Sequence, residues 1–189
     1  MTTTNSKIIK KVISSRRTIH VFSKTSVEES YILEAIQAAN YAPCHRRTYP
    51  WRFINVKEKT REAIIKILID KKLNRDKSNS LRRDLLEEKY KSPSHWIIAT
   101  QLLANSEIEI KEDYAACCCG IQNFMLVLAA RQVGTKWSTG EATSNDRIYD
   151  LLKIKKVEER IIGLISVGYS KEEPPKIKRP EISNIYREI

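Results

Sequence analysis

The stretch DYAACCCGIQNFMLVLAARQVGTKWSTG, residues 113–140, decides the fold. Its first two thirds place Ala, Cys, Ile, Phe, Met, Leu and Val on nearly every side of a helical wheel, and no proline interrupts them. A helix that is apolar all round belongs inside a protein, so residues 113–133 are predicted to form a buried central helix. Gly134 is expected to cap it. Residues 135–138 then read as a short strand between Gly134 and Gly140. Glycines at those places permit a positive φ or close approach of the backbone to a flat ligand, and an ordinary turn explains them equally well.

Working outward, residues 95–103 and 160–167 are apolar, β-rich runs, and residues 51–56 alternate, so all three are predicted strands. Helices are predicted over residues 60–73, with Ile64, Ile67 and Leu68 inward, and over the charged residues 79–91, with a polar loop at 74–78 between them. Residues 6–14 read as a short amphipathic helix with Ile8, Ile9, Val12 and Ile13 on one face. Ser26 and Glu29 have capping-box spacing for a second helix that runs to about Tyr41 and stops at Ala42-Pro43. Ser144 is the expected N-cap of a helix ending at Leu152, and residues 174–189, rich in Pro and Lys, read as an extended arm. Helices separate the strands throughout. That order implies an α+β layered fold: a small mixed sheet flanked by helices around the central helix, in one domain spanning 1–189.

A net charge of +11 suggests an anionic partner. The cations are scattered, at Lys71-Lys72, Arg82-Arg83, Lys155-Lys156 and residues 176–179, and form no stripe interleaved with aromatic residues. Nucleic-acid binding is therefore not the expected role. The most strongly apolar stretch, residues 124–130, is too short to span a bilayer, and residues 1–11 carry no leader pattern, so a cytoplasmic protein without membrane contact is expected. The cysteines are Cys44 and the run Cys117, Cys118, Cys119. Adjacent helical residues point about 100° apart, so three in a row cannot converge on one metal, and no metal site is expected. Buried, reduced thiols acting as small apolar groups are the expected reading.

Three segments carry candidate chemistry. Arg16, Arg17 and Thr18 follow a helix end, where two guanidiniums beside a hydroxyl can hold a phosphate, or can simply be surface charge. Residues 42–53, Ala-Pro-Cys-His-Arg-Arg-Thr-Tyr-Pro-Trp-Arg-Phe, form a cationic loop with two prolines that enters a strand, and within it His45 is either a ligand contact or a solvated loop residue. The third segment is Gly134 to Gly140.

Taken together and in this order, the segments resemble the nitroreductase family of flavoproteins. Arg16-Arg17-Thr18 with Val21-Phe22 is similar to that family's opening motif, and Ala42-Pro43 with Pro50-Trp51-Arg52-Phe53 to its proline-tryptophan strand entry. Gly120-Ile121-Gln122-Asn123 and the 134–140 stretch are similar to its central helix and flavin segment. Gly168-Tyr169, Pro174 and Arg179-Pro180 are similar to its closing strand and arm. The resemblance implies an intertwined homodimer with FMN at the subunit interface. It implies that Arg16, Arg17 and Thr18 hold the phosphate and ribityl chain, with Arg179 at the phosphate. Pro43, Cys44, His45 and Arg47 would come from the other subunit, and Trp137, Ser138, Thr139 and Gly140 would line the flavin ring. The implied activity is electron transfer from NAD(P)H to a small electron-poor acceptor, with the flavin carrying the chemistry and no side-chain acid required. Arg47 and Tyr49 stand where the family often has Asn and Gln, which bears on the acceptor more than on the cofactor.

Overall fold

Strands β1 (Trp51–Asn55), β2 (His95–Leu102), β3 (Gly134–Ser138) and β4 (Glu159–Gly168) form one sheet in the order β1-β2-β4-β3. Every adjacent pair is antiparallel. The expected mixed character is confined to one parallel bridge, Thr18 with Thr135, on the outer edge of β3. The long helical connections that suggested parallel crossovers instead carry the chain back to pair in the opposite sense. The computed structural model describes residues 2–76 and 82–189. Its helices are α1 (Thr2–Ser15), α2 (Glu29–Ala39), α3 (Glu58–Arg75), α4 (Arg83–Lys91), α5 (Glu107–Ala130), α6 (Glu141–Ser144) and α7 (Asp146–Leu152). The predicted loop at 74–78 begins inside α3, and its last two residues, like residues 79–81 of the predicted charged helix, lie outside the described residues.

The two-residue period of a strand divides the core between the faces of the sheet. Ile97 and Ala99 of β2 join Ile165 and Val167 of β4 under α2 and α5. Trp96 and Ile98 join Ile161 and Leu164 under α3 and α7. A register shift at Ala99/Thr100 lets Ile161 and Leu164, three apart, share a face.

Helix α5 is the core helix, and it begins well before residue 113. Ser106 caps it: its hydroxyl accepts from the Glu109 amide at 3.3 Å and donates to the Glu109 carboxylate at 2.9 Å, a side-chain N-cap that the polar surroundings of residues 104–112 obscured. Gly134 does not cap its other end. Gln132, at φ 61°, takes the left-handed position, while the Val133 amide bonds Leu128 O at 2.9 Å and the Gln132 amide bonds Ala129 O at 3.0 Å. By length and composition α5 is able to cross a bilayer, contrary to the expectation from the short 124–130 run. Its buried face, from Asp113 through Gly120 and Phe124 to Leu128, is packed in the core beside α2 and the sheet. The opposite face, including Tyr114 and Cys119, is exposed in the single chain, so α5 is not buried all round.

Two other caps differ from expectation. The Val27 amide bonds the Ser94 hydroxyl at 2.9 Å and its side chain is buried, so the chain is still extended there and α2 starts after Glu28 rather than Ser26. Ser144 ends α6, and Asn145 caps α7 by accepting from the Arg147 amide at 3.0 Å. On α1 the expected apolar stripe exists, but Ile8, Ile9 and Ile13 are exposed. Residues 175–189 are exposed, extended chain apart from one 3-10 turn, Ile182–Asn184.

Candidate functional site

Helix α1 closes its last turn with the Arg16 amide on Val12 O at 3.0 Å. The chain then runs along the open edge of β3. The Ile19 amide bonds Thr135 O at 3.0 Å, and farther on Phe22 bridges Ser170 while the Ser23 amide bonds Tyr169 O at 2.8 Å. Gly134 makes this close approach possible, because a Cβ there would overlap the Ile19 side chain. Backbone bonding at both ends therefore fixes the position of Arg16, Arg17 and Thr18.

Beside this strip lies a groove of about 360 Å³ lined by Arg16, Thr18, Gln122, Met125, Trp137 and Thr139. Arg16 is shared with a smaller hollow of about 170 Å³ that also takes in Arg17 and Ser170. Burial, then Arg179, then Arg17 hold the Arg16 guanidinium below its ordinary range. Arg17 and Arg179 are thus near enough to repel the Arg16 charge, the Arg17 guanidinium itself donating to Ser14 O at 2.5 Å and Arg16 O at 2.9 Å, and every influence on Arg16 disfavours its charge. An anion seated there would reverse that balance.

The other end is walled by Trp137. Its indole lies across Gly163, where any Cβ would sink into the ring. The buried Nε1 over that glycine has no hydrogen-bond partner among the described residues. Thr135 turns its carbonyl outward to Ile19, and backbone groups of alternate residues share a direction, so those of Trp137 also face the open edge. Gly140, at φ 76°, turns the chain sharply into α6. Ser138 points the other way, into a larger cleft on the α3 face that meets the groove at Thr139.

Pro43, Cys44, His45 and Arg47 are elsewhere. Their loop is anchored on the N-terminal half of α5: the Thr48 hydroxyl donates to Asp113 at 2.6 Å, and the Arg46 guanidinium pairs with Glu112 at 3.3 Å and Glu109 at 3.7 Å. Arg47 at φ 55° and Tyr49 at φ 47° adopt the left-handed conformation, which costs a non-glycine residue about 1 kcal/mol each. His45 and Arg47 are exposed. The Asp113 anchor and Gln122 of the groove are nine residues apart on α5, about 14 Å along its axis at the helical rise, while Ala42 at the start of the loop packs against Gly120. Of the expected site residues, Arg16, Thr18, Trp137 and Thr139 line one groove, Arg17 and Arg179 lie near Arg16, Gly140 lines the adjoining cleft, and none of Pro43, Cys44, His45 and Arg47 lines either hollow.

The cysteine run follows helical geometry. Cys117 is buried, Cys118 half-buried and Cys119 exposed, so the expectation of uniformly buried thiols holds for Cys117 alone. Burial, then Cys118, Asp113 and Cys44, push the Cys117 thiol up to about 12, so it stays protonated at neutral pH. Among the described residues no group of His, Cys, Asp and Glu is placed to hold a metal. Gln122 and Met125 line the groove without having been nominated from sequence; their three-residue spacing on one helix face was the available signal.

A family model described as "Nitroreductase family" matches residues 13–169. The chain is 28% identical over 185 residues to the Bacillus subtilis (strain 168) protein "Putative NAD(P)H nitroreductase YfhC", covering 96% of this chain and 94% of that protein. Among solved structures, a nitroreductase-like family protein from Bacillus cereus superposes with a TM-score of 0.83 at 24% identity, covering 96% of this chain and 95% of that one. The FMN-dependent nitroreductase NfnB from Mycobacterium smegmatis, solved in complex with NADPH, superposes with a TM-score of 0.77 at 16% identity, covering 97% and 99%. At these identities the two structural likenesses speak for the fold.

Proposed function

The chain belongs to the nitroreductase family, and from that premise we propose that it is an FMN-dependent oxidoreductase that carries electrons from NAD(P)H to small electron-poor acceptors such as nitroaromatics or quinones. The observation that supports this best is the groove that joins Arg16 and Thr18 to Trp137 and Thr139, with Arg17 and Arg179 near enough to repel the Arg16 charge. A phosphate tail fits its cationic end, and a planar body fits between the Trp137 wall and the open strand edge. Arg16, Arg17 and Arg179 would hold the phosphate through charge-assisted bonds, with the Thr18 hydroxyl on the ribityl chain. Trp137, Thr139 and Gly140 would flank the ring, Ser138 would face the adjoining cleft, and outward backbone amides of the strand edge would supply fixed donors. When bound, FMN supplies the chemistry, accepting a hydride and passing on its electrons. Donor and acceptor would use the same opening in turn, which gives ping-pong kinetics.

The working unit is proposed to be a homodimer in the cytoplasm, with FMN at its interface. Ile8, Ile9 and Ile13 of α1 and Leu33 of α2 form exposed apolar surface that a second copy would cover, as would the exposed face of α5 around Tyr114. None of Pro43, Cys44, His45 and Arg47 lines the groove of its own chain, so these residues of the partner subunit would complete each site. The test is the absorption spectrum of the purified protein before and after anaerobic NAD(P)H. A flavin spectrum with about one FMN per chain that bleaches on donor addition is expected. A colourless protein that takes up no added FMN would overturn the reading. A yellow protein that neither donor bleaches would reduce it to flavin binding without turnover.

A further inference from the structure

The loop between α2 and β1 carries a chain of side-chain hydrogen bonds that the flavin groove does not use. Its base is closed by the Trp51 indole, which donates to the Asn40 side chain at 3.1 Å, and by Pro50 O, which accepts from the Leu102 amide at 2.8 Å. Above that base, residues 43–49 are exposed apart from the half-buried Cys44, so core packing does not shape them. Thr48 stands between Arg47 at φ 55° and Tyr49 at φ 47°. Two left-handed residues that are not glycine persist only where other contacts hold them.

Asp113 supplies that hold. It is only 6% exposed on α5, and its Oδ1 accepts from the Thr48 hydroxyl at 2.6 Å. A hydroxyl has one proton. With that proton on the bond to Asp113, the 3.3 Å contact between Thr48 Oγ1 and Cys44 Sγ has the thiol as its donor. The same sulfur accepts from the Tyr49 amide at 3.4 Å, and the Arg47 amide bonds Cys44 O at 3.3 Å. The order Tyr49 N–H, Cys44 S–H, Thr48 O–H, Asp113 carboxylate therefore runs in one direction and ties down the backbone on both sides of Thr48. The other anchor is weaker. Arg46 pairs with Glu109 and Glu112 while half exposed, and such ion pairs contribute little, whereas a hydroxyl on a buried carboxylate makes a strong bond.

We propose that Asp113 is a positioning residue: through Thr48 and Cys44 it sets the shape of the 43–49 loop, and with it the affinity of the flavin site that this loop completes on the partner subunit. Asp113 touches no ligand itself, and its effect crosses the subunit interface. The inference rests on the two-subunit FMN site proposed above.

The experiment removes the middle of the chain. Thr48→Val deletes the hydroxyl at nearly constant volume, and because Thr48 is exposed no packing is disturbed. Titration of the apoprotein with FMN should show binding weakened about tenfold, while Thr48→Ser, which keeps the hydroxyl, should restore it to about wild-type affinity. The arrangement of two substitutions within one dimer gives a readout that a merely structural role would not move. One tagged dimer pairs an Arg16→Ala chain with a Thr48→Val chain; the other pairs a chain carrying both substitutions with a wild-type chain. The first should hold one FMN at wild-type affinity, because an intact strip meets an intact loop, and the second should hold none at that affinity. The reverse pattern, or equal binding by the two dimers, would overturn the inference. A Thr48→Val homodimer that binds FMN like wild type would overturn it alone and leave the flavin reading standing. Wild type that takes up no FMN would overturn the oxidoreductase reading and this inference with it. Thr48→Ala gives the same comparison should the valine variant fail to fold.

Discussion

The strip that carries Arg16, Arg17 and Thr18 and the loop that carries Pro43 to Arg47 are both cationic and both lie outside regular structure, yet they are held in different ways. The strip is held by backbone bonds to β3 and to the chain after β4, and glycines let it close down on the sheet. The loop is held by side chains, through Thr48 on Asp113 and Arg46 on Glu112, and it contains two left-handed non-glycine residues. A backbone-bonded strip fixes a ligand site within its own chain. A side-chain-anchored loop whose residues 43–47 do not line that groove is suited to present them to a neighbour. The proposed two-subunit site rests on this contrast.

The largest effect is expected where the groove is most tightly built. Gly163→Val would drive a branched side chain into the Trp137 ring and should cost about 3 kcal/mol, read as a lower midpoint in urea unfolding. Flavin occupancy should fall with it; unchanged stability would mean that the seat of Trp137 is not built as described. Arg16→Ala leaves the fold intact and should weaken FMN binding about ten- to a hundredfold by equilibrium titration. An unchanged dissociation constant would reduce Arg16 to surface charge.

On the loop side, Arg47→Asn keeps a residue that tolerates the left-handed conformation, so stability should hold. If Arg47 of the partner subunit reaches the acceptor, a nitrobenzoate should lose about five- to thirtyfold more in kcat/KM than a neutral quinone. Equal losses would remove Arg47 from acceptor selection. The smallest effect concerns the cleft beside the strip. Lys136 holds its proton less well folded than unfolded. The folded state is therefore penalised wherever both forms are protonated, and the penalty fades as pH rises through the folded value toward the ordinary lysine range. Lys136→Gln should raise Tm slightly at neutral pH, with the difference from wild type closing at alkaline pH. A Tm below that of wild type would show that the lysine is compensated.

The same contrast explains what the sequence made legible. Strands 95–103 and 160–167 and the core of α5 were readable as near-continuous apolar runs, and strand 51–56 was readable from its alternating sequence. The Arg16 to Thr18 strip and Trp137 to Gly140 were readable as neighbours because they resemble a known order of motifs. The direction of strand pairing was not readable, since helical connections of this length serve either sense. The start of α5 at Ser106 was hidden by charged residues that continue the helix without an apolar pattern. The Ser26 cap failed because a tertiary bond, Val27 to Ser94 at 2.9 Å, keeps the chain extended where the local motif favours a helix. The cleft with Lys72, Lys89 and Lys136 was invisible because its charges come from α3, α4 and β3, far apart in the chain.

The most direct test of the two-subunit site is a hybrid dimer, made by co-expressing an Arg16→Ala chain with a chain whose residues 43–47 are replaced by glycines, each with its own purification tag. Each variant alone should bind FMN poorly. In the hybrid, the intact strip of one chain meets the intact loop of the other at one of the two sites, so the tandem-purified hybrid should hold one tightly bound FMN per dimer. A hybrid that binds no better than its parents would contradict the account, because it would place strip and loop of the same chain in the same site.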